Sequence, residues 1–172
     1  DEVGLMAATK IRQKGYTEAA IFASRHSYFA TSQRVQAFIS SCERLGIETD
    51  EKYILKGSST RNGGYEIGKQ YAALKEPPKM IFCDSDAIAL GALRAFHEEG
   101  ISVPGDAELL SIGMLDPEAA SYYVPSLSVV EMPNKEIGQQ VLRLMRKKVL
   151  NNDMSSEHVK VHAKLMLRES FS

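Results

Sequence analysis

Between residues 18 and 99 a short apolar run is followed three times by a longer stretch whose apolar residues recur every three to four positions. Continuous apolarity or a period of two suits a strand, and a period near 3.6 suits a helix. Strict alternation of the two leaves few folds, because consecutive parallel strands need helical crossovers that then cover the sheet on both faces. A doubly wound α/β sheet is the expected result. Strands are expected at Glu18 to Ser24, Tyr53 to Lys56, Lys79 to Cys83 and Leu109 to Ile112, with a further strand at Leu127 to Val130. Helices are expected from Asp1 to Gly15, from a Ser32 cap to Leu45, over Gly64 to Leu74, over 86 to 99, and from about Asn134 to Leu150. Gly15, Gly46 and Gly100 stand where a left-handed C-terminal residue belongs. Pro77-Pro78 and Pro104-Gly105 mark turns, and His158 to Leu167 alternates loosely, as a closing strand would. The composition agrees: 172 residues, 44% apolar and 25% charged, are enough for one packed core or a little more, which excludes disorder, collagen and a membrane span.

Charge and cysteine usage narrow the function classes. With 21 basic and 22 acidic residues the net charge is -1, so nothing in the balance points to a nucleic acid or a membrane surface. Cys42 and Cys83 are far apart and form no ligand-spaced set, so neither a disulfide framework, a zinc site nor another metal site is expected, and a reduced, cytoplasmic setting fits. The chain starts at Asp1 rather than Met and opens on a helix with no signal-peptide pattern, so a piece of a longer protein is expected.

A sheet of this kind receives ligands beyond the carboxyl ends of its strands. The loops there are Ser24 to Tyr28, Gly57 to Asn62, Asp84 to Asp86 and Met114 to Asp116, and each is also ordinary turn and cap chemistry. Asp84-Ser85-Asp86 ends an apolar strand, the arrangement that gives haloacid-dehalogenase-type phosphatases a nucleophile and an acid around Mg2+. Here the pair lies mid-chain, Ile88 replaces the favoured Thr or Val, and no downstream lysine-plus-acid set follows, so capping of the next helix by Asp84 or Ser85 is the preferred reading. Gly57 to Gly64 lacks the Gly-Lys-Ser/Thr ending of a P-loop. His158 and His162, four apart on a strand, would lie about 13 Å from each other, too far to share a metal. His26 and His97 have no evident partner, and no nucleophile-base set can be assembled, so no enzyme and no cofactor are expected. Arg143, Arg146, Lys147 and Lys148 read as the solvated side of a helix whose apolar stripe is Ile137, Val141, Leu144 and Met145.

The segment Met80-Ile-Phe-Cys-Asp-Ser-Asp-Ala-Ile-Ala-Leu-Gly-Ala-Leu-Arg-Ala, followed by Gly100-Ile-Ser-Val-Pro-Gly-Asp106 and Leu110-Ser-Ile-Gly113, resembles the LacI/GalR family of bacterial transcription regulators. Ser32-Gln-Arg-Val-Gln-Ala-Phe38, Tyr123-Val-Pro-Ser-Leu-Ser-Val-Val130 and Glu136-Ile-Gly138 continue the likeness in order and spacing over essentially the whole chain. The resemblance implies a periplasmic-binding-protein-like (type I) lobe, mainly the second, with the other lobe and a helix-turn-helix headpiece outside this sequence. In such regulators a small effector, commonly a sugar, binds between the lobes, and a homodimer transmits the change to operator DNA. No membrane is implied. By the same resemblance Arg34 is the effector-contacting arginine, Ser85 takes the place of an Asn, Asp86 follows it, Leu115-Asp116 replaces an Asp pair, and Ser59 lies where some members carry a stacking aromatic.

Ser85 offers one hydroxyl and Leu115 no acceptor, so a less hydroxylated effector is expected, with an apolar group against Leu115 and Tyr28 or Phe29. The helix over 86 to 99 is lined by small residues that allow close approach of either its own fold or a second copy. A second copy is the preferred reading, through Ala89, Ala92, Leu93 and Phe96. A periplasmic sugar-binding protein of a transporter shares the expected fold and is the alternative, although the Pro-Gly-Asp turn and the Pro125 to Val130 segment favour the regulator.

Overall fold

The computed structural model describes residues 2–25, 29–113, 118–150 and 155–171. Helix α1, Glu2–Gln13, buries Ala7, Ala8 and Ile11, and Gly15 at φ +92° turns the chain into strand β1, Ala20–Ser24, which is buried throughout. Helix α2, Phe29–Leu45, starts three residues before Ser32, so Ser32 lies inside the helix rather than capping it. A 3-10 turn at Glu51–Tyr53, capped by Asp50, takes up Tyr53 and shifts the next strand by one residue to β2, Ile54–Gly57. Helix α3, Arg61–Ala72, also starts early, because the Gly63 N–H donates to Thr60 Oγ1 at 3.1 Å and makes Thr60 the cap. Strand β3, Met80–Cys83, and helix α4, Asp86–Glu99, lie where the pattern places them, α4 closed by Gly100 at φ +73°. Strand β4 is Glu108–Gly113, β5 Ser128–Glu131, helix α5 Asn134–Leu150 and β6 Lys164–Met166.

The strands form one sheet in the order β2-β1-β3-β4-β5-β6, the first five parallel and β6 antiparallel. The expected closing strand over His158 to Leu167 is thus only three residues long. Its partner β5 pairs through Val129, Val130 and Glu131 alone, and a strand extends no further than its neighbour's ladder. Among the described residues between β4 and β5 the helical part is a 3-10 turn at Ala119–Ser121.

Alternation along the strands separates two cores. On one face Ile21, Phe82, Leu110 and Val130 pack with Phe38 and Cys42 of α2, and the Phe38 and Phe82 rings stack at 3.9 Å. On the other, Phe22, Ile81, Cys83 and Leu109 pack with Tyr71 of α3 and Phe96 of α4. The helices α3 and α4 approach so closely that a Cβ on Gly91 would stand 1.9 Å from the Arg61 carbonyl oxygen and one on Gly64 2.1 Å from that of Ile88. The tail is pinned by Ser170, whose Oγ donates to Leu109 O at 2.8 Å and accepts from Ser128 N at 2.8 Å. Helix α5 differs from the others in burying no residue: its stripe of Ile137, Val141, Met145 and Val149 is 36 to 76% exposed.

Candidate functional site

The chain winds from β1 outward to β2 and then returns past β1 to β3, so the direction of winding reverses between β1 and β3. In open α/β sheets ligands enter at such a reversal, outside the carboxyl ends of the strands. The last ladder partners there are Phe22 and Cys83. Beyond them the Asp84 N–H donates to Phe22 O at 2.9 Å and the Ser24 N–H donates to Asp84 Oδ2 at 2.6 Å, so the Asp84 side chain lies across the edge of both strands. Asp84 is 1% exposed, and its second oxygen, Oδ1, is buried without a hydrogen-bond partner. Burial raises the carboxyl above its ordinary range, against the opposing pull of the Ser24 N–H, the Ser24 and Ser85 hydroxyls and the charge of Arg34.

Arg34 comes from the first half of α2, half-buried, with its charge reaching Asp84. Ser85 caps α4: its Oγ accepts from Ile88 N at 3.5 Å, a long bond. Asp86 is the first residue of α4 and is buried, at the positive end of the helix. On the neighbouring loop Ser59 is exposed between Ser58 and Thr60, whose hydroxyls bond each other at 2.8 Å, so this loop is first of all the start of α3. The Arg25 N–H donates to Gly57 O at 2.6 Å and fastens that loop to β1.

The fold therefore brings Arg34, Ser85 and Asp86 to one edge and adds Asp84, which the sequence pattern marks only as a cap or nucleophile. Tyr28, Leu115 and Asp116 lie outside the described residues, as does His26. His162 has a partner that spacing did not suggest, its Nδ1 standing 2.9 Å from Glu2 Oε1 on α1. Among the described residues no group of three or more His, Cys, Asp or Glu side chains is placed to hold a metal.

Of the four residues expected at a subunit contact, Ala89, Ala92 and Phe96 are 0, 0 and 1% exposed. The small residues of α4 serve its close approach to α3 within the chain, and only Leu93 keeps surface.

Residues 8–171 match the periplasmic binding protein-like domain, and the chain belongs to that family. Its relatives are LacI-family transcription regulators, and the part it corresponds to is their effector-binding domain. The HTH-type transcriptional repressor PurR of Mannheimia succiniciproducens is 27% identical over 169 residues, which are 98% of this chain and 50% of that protein. A LacI family transcription regulator from Clostridium acetobutylicum superposes with a TM-score of 0.91 at 30% identity, over 96% of this chain and 62% of that one. A regulator from Enterococcus faecium, solved with bound ribose, shares the fold at a TM-score of 0.85 and 20% identity, over 99% of this chain and 62% of its own. The chain spans about half the length of the curated relatives it matches.

Proposed function

We propose that this chain is the second lobe, with hinge crossings, of the effector-sensing region of a LacI/GalR-type transcription regulator. A small sugar or sugar-like effector binds between this lobe and a first one, and the change in their angle alters operator binding by a headpiece elsewhere in the protein. The observation that carries this reading is the convergence of Arg34, Ser85 and Asp86 at the β1/β3 reversal. Arg34 offers a planar fork for two ligand oxygens, Ser85 a hydroxyl and Asp86 a carboxylate acceptor. Ser59, Tyr28, Leu115 and Asp116 complete the proposed pocket.

The first lobe is supported by α5, whose stripe at positions 137, 141, 145 and 149 is built for a partner and covers none of this core. The ribose in the Enterococcus faecium regulator supports a carbohydrate effector, and the relatives favour a non-catalytic, cytoplasmic regulator over a transporter component. No helix among the described residues is long and apolar enough to cross a membrane. We place the homodimer contact on Leu93 and the exposed Tyr122 and Val124, since the inner residues of α4 are occupied.

The test is calorimetry of the intact protein against sugars and nucleosides. A ligand that binds wild type and loses at least tenfold affinity in Arg34→Ala is the expected result, and an Arg34→Ala variant that binds with unchanged affinity overturns the assignment. Light scattering at micromolar concentration is expected to give a dimer, and a monomer refutes the pairing.

A further inference from the structure

Resting on the reading above, we infer that Asp84 is a specificity-determining residue of the effector site, and that the effector presents an N–H donor, preferably a protonated amine, to its unpartnered oxygen. Four observations on the edge of the sheet support this. The carboxylate lies at the reversal between β1 and β3, tied to one strand by its own backbone and to the other through Ser24. Its Oδ1 is buried without a donor, although carboxylates taken from water are otherwise satisfied. A second buried carboxylate, Asp86, stands two residues away at the start of α4, and the charge of Arg34 reaches Asp84. Ser85 Oγ accepts from Ile88 N as the cap of α4 and its hydroxyl acts on the Asp84 carboxyl, which still leaves Oδ1 without a partner.

An orphaned buried acceptor costs stability, and such a cost is retained where a ligand supplies the missing donor. The Ser24 N–H already holds Oδ2, so an incoming ammonium or amide N–H at Oδ1 completes the set. An anionic effector, by contrast, meets two carboxylates at close range and is repelled. This narrows the effector from sugars in general to amine-bearing ones, and it excludes phosphorylated sugars.

The experiment compares wild type with Asp84→Asn in the intact protein, which is isosteric and keeps an acceptor for the Ser24 N–H. Glucosamine and galactosamine are titrated against glucose, galactose, ribose and glucose 6-phosphate, and melting temperatures are recorded without ligand. An amino sugar binding at least tenfold tighter than its neutral parent in wild type, with that preference lost in Asp84→Asn, is the expected result. A neutral or phosphorylated sugar that binds best, and equally in both proteins, overturns the inference and leaves the regulator reading standing. The ligand-free arm is independent of the sugars chosen. A higher melting temperature in Asp84→Asn, at unchanged secondary structure, supports a residue kept for binding, and a lower one marks Asp84 as structural and overturns the inference. Loss of all sugar binding in Arg34→Ala, but not in Asp84→Asn, separates failure of the inference from failure of the reading beneath it.

Discussion

Asp84 shows how a single side chain takes its character from neighbours far away in sequence. Burial holds its carboxyl above the ordinary aspartate range, so folding binds its proton more tightly than the unfolded chain does. The sign follows: the ionised form costs stability at neutral pH, and the cost disappears as pH falls through the raised folded value toward the ordinary one. Asp84→Asn is therefore expected to stabilise the ligand-free protein at pH 7. The gain shrinks to nothing below pH 4, as read by urea melts across that window. Glu98 behaves oppositely, held at about 2 by hydrogen bonds from Tyr65 and Arg94, and acid removes its contribution. That Asp84 or Ser85 caps α4 is legible in the sequence, because a short polar residue before an apolar helix is a local signal, and the structure assigns the cap to Ser85. The burial of Asp84 was not, since it depends on β1 lying beside β3 and no local pattern contains strand order.

Elements with a signal at both ends were read to the residue. Helix α4 runs from Asp86 to Glu99 because Ser85 caps it and Gly100 closes it, and α5 also has the bounds its period predicts. Where a cap is hidden the start differs: Thr60 begins α3 ahead of Gly63 and Gly64, of which Gly63 packs on Ser58 of the preceding loop and Gly64 brings α3 against α4. The small residues of α4 fit either a second copy or a neighbouring helix by composition alone, and the matching glycines of α3 decide for the neighbour. Gly91→Ala places a methyl against backbone that cannot yield, and a loss of about 3 kcal/mol in urea unfolding is expected. Ala87→Ser, on the partly exposed side, is the control and is expected to change little. For α5 the effect depends on what surrounds it. Met145→Glu is expected to lower the melting temperature by several degrees where the proposed first lobe covers α5, and an unchanged melting temperature would show that the stripe faces water, as its 57% exposure at Met145 allows.

At the scale of the whole molecule, one sheet is shared by two cores, and each core holds one cysteine. Cys42 lies among the residues packed by α1 and α2, and Cys83 among those packed by α3 and α4. Burial pushes the Cys42 thiol up to about 12 and the Cys83 thiol well above its usual range, so neither reacts while the fold is closed. Labelling with a thiol reagent therefore measures opening on each side of the sheet separately, with no engineered probe. Neighbouring residues of β1, β3 and β4 point alternately into the two cores, so neither side opens without disturbing the other's strands. Equal labelling rates at Cys42 and Cys83 are the expected outcome, followed by mass spectrometry of the separated peptides, and a tenfold difference would show two units that open independently. Any effector bound at the β1/β3 edge touches strands common to both cores, and it should slow the two reactions by the same factor. The pair of thiols thus converts ligand binding, which leaves no colour or charge signal of its own, into a rate that can be read on either face of the sheet.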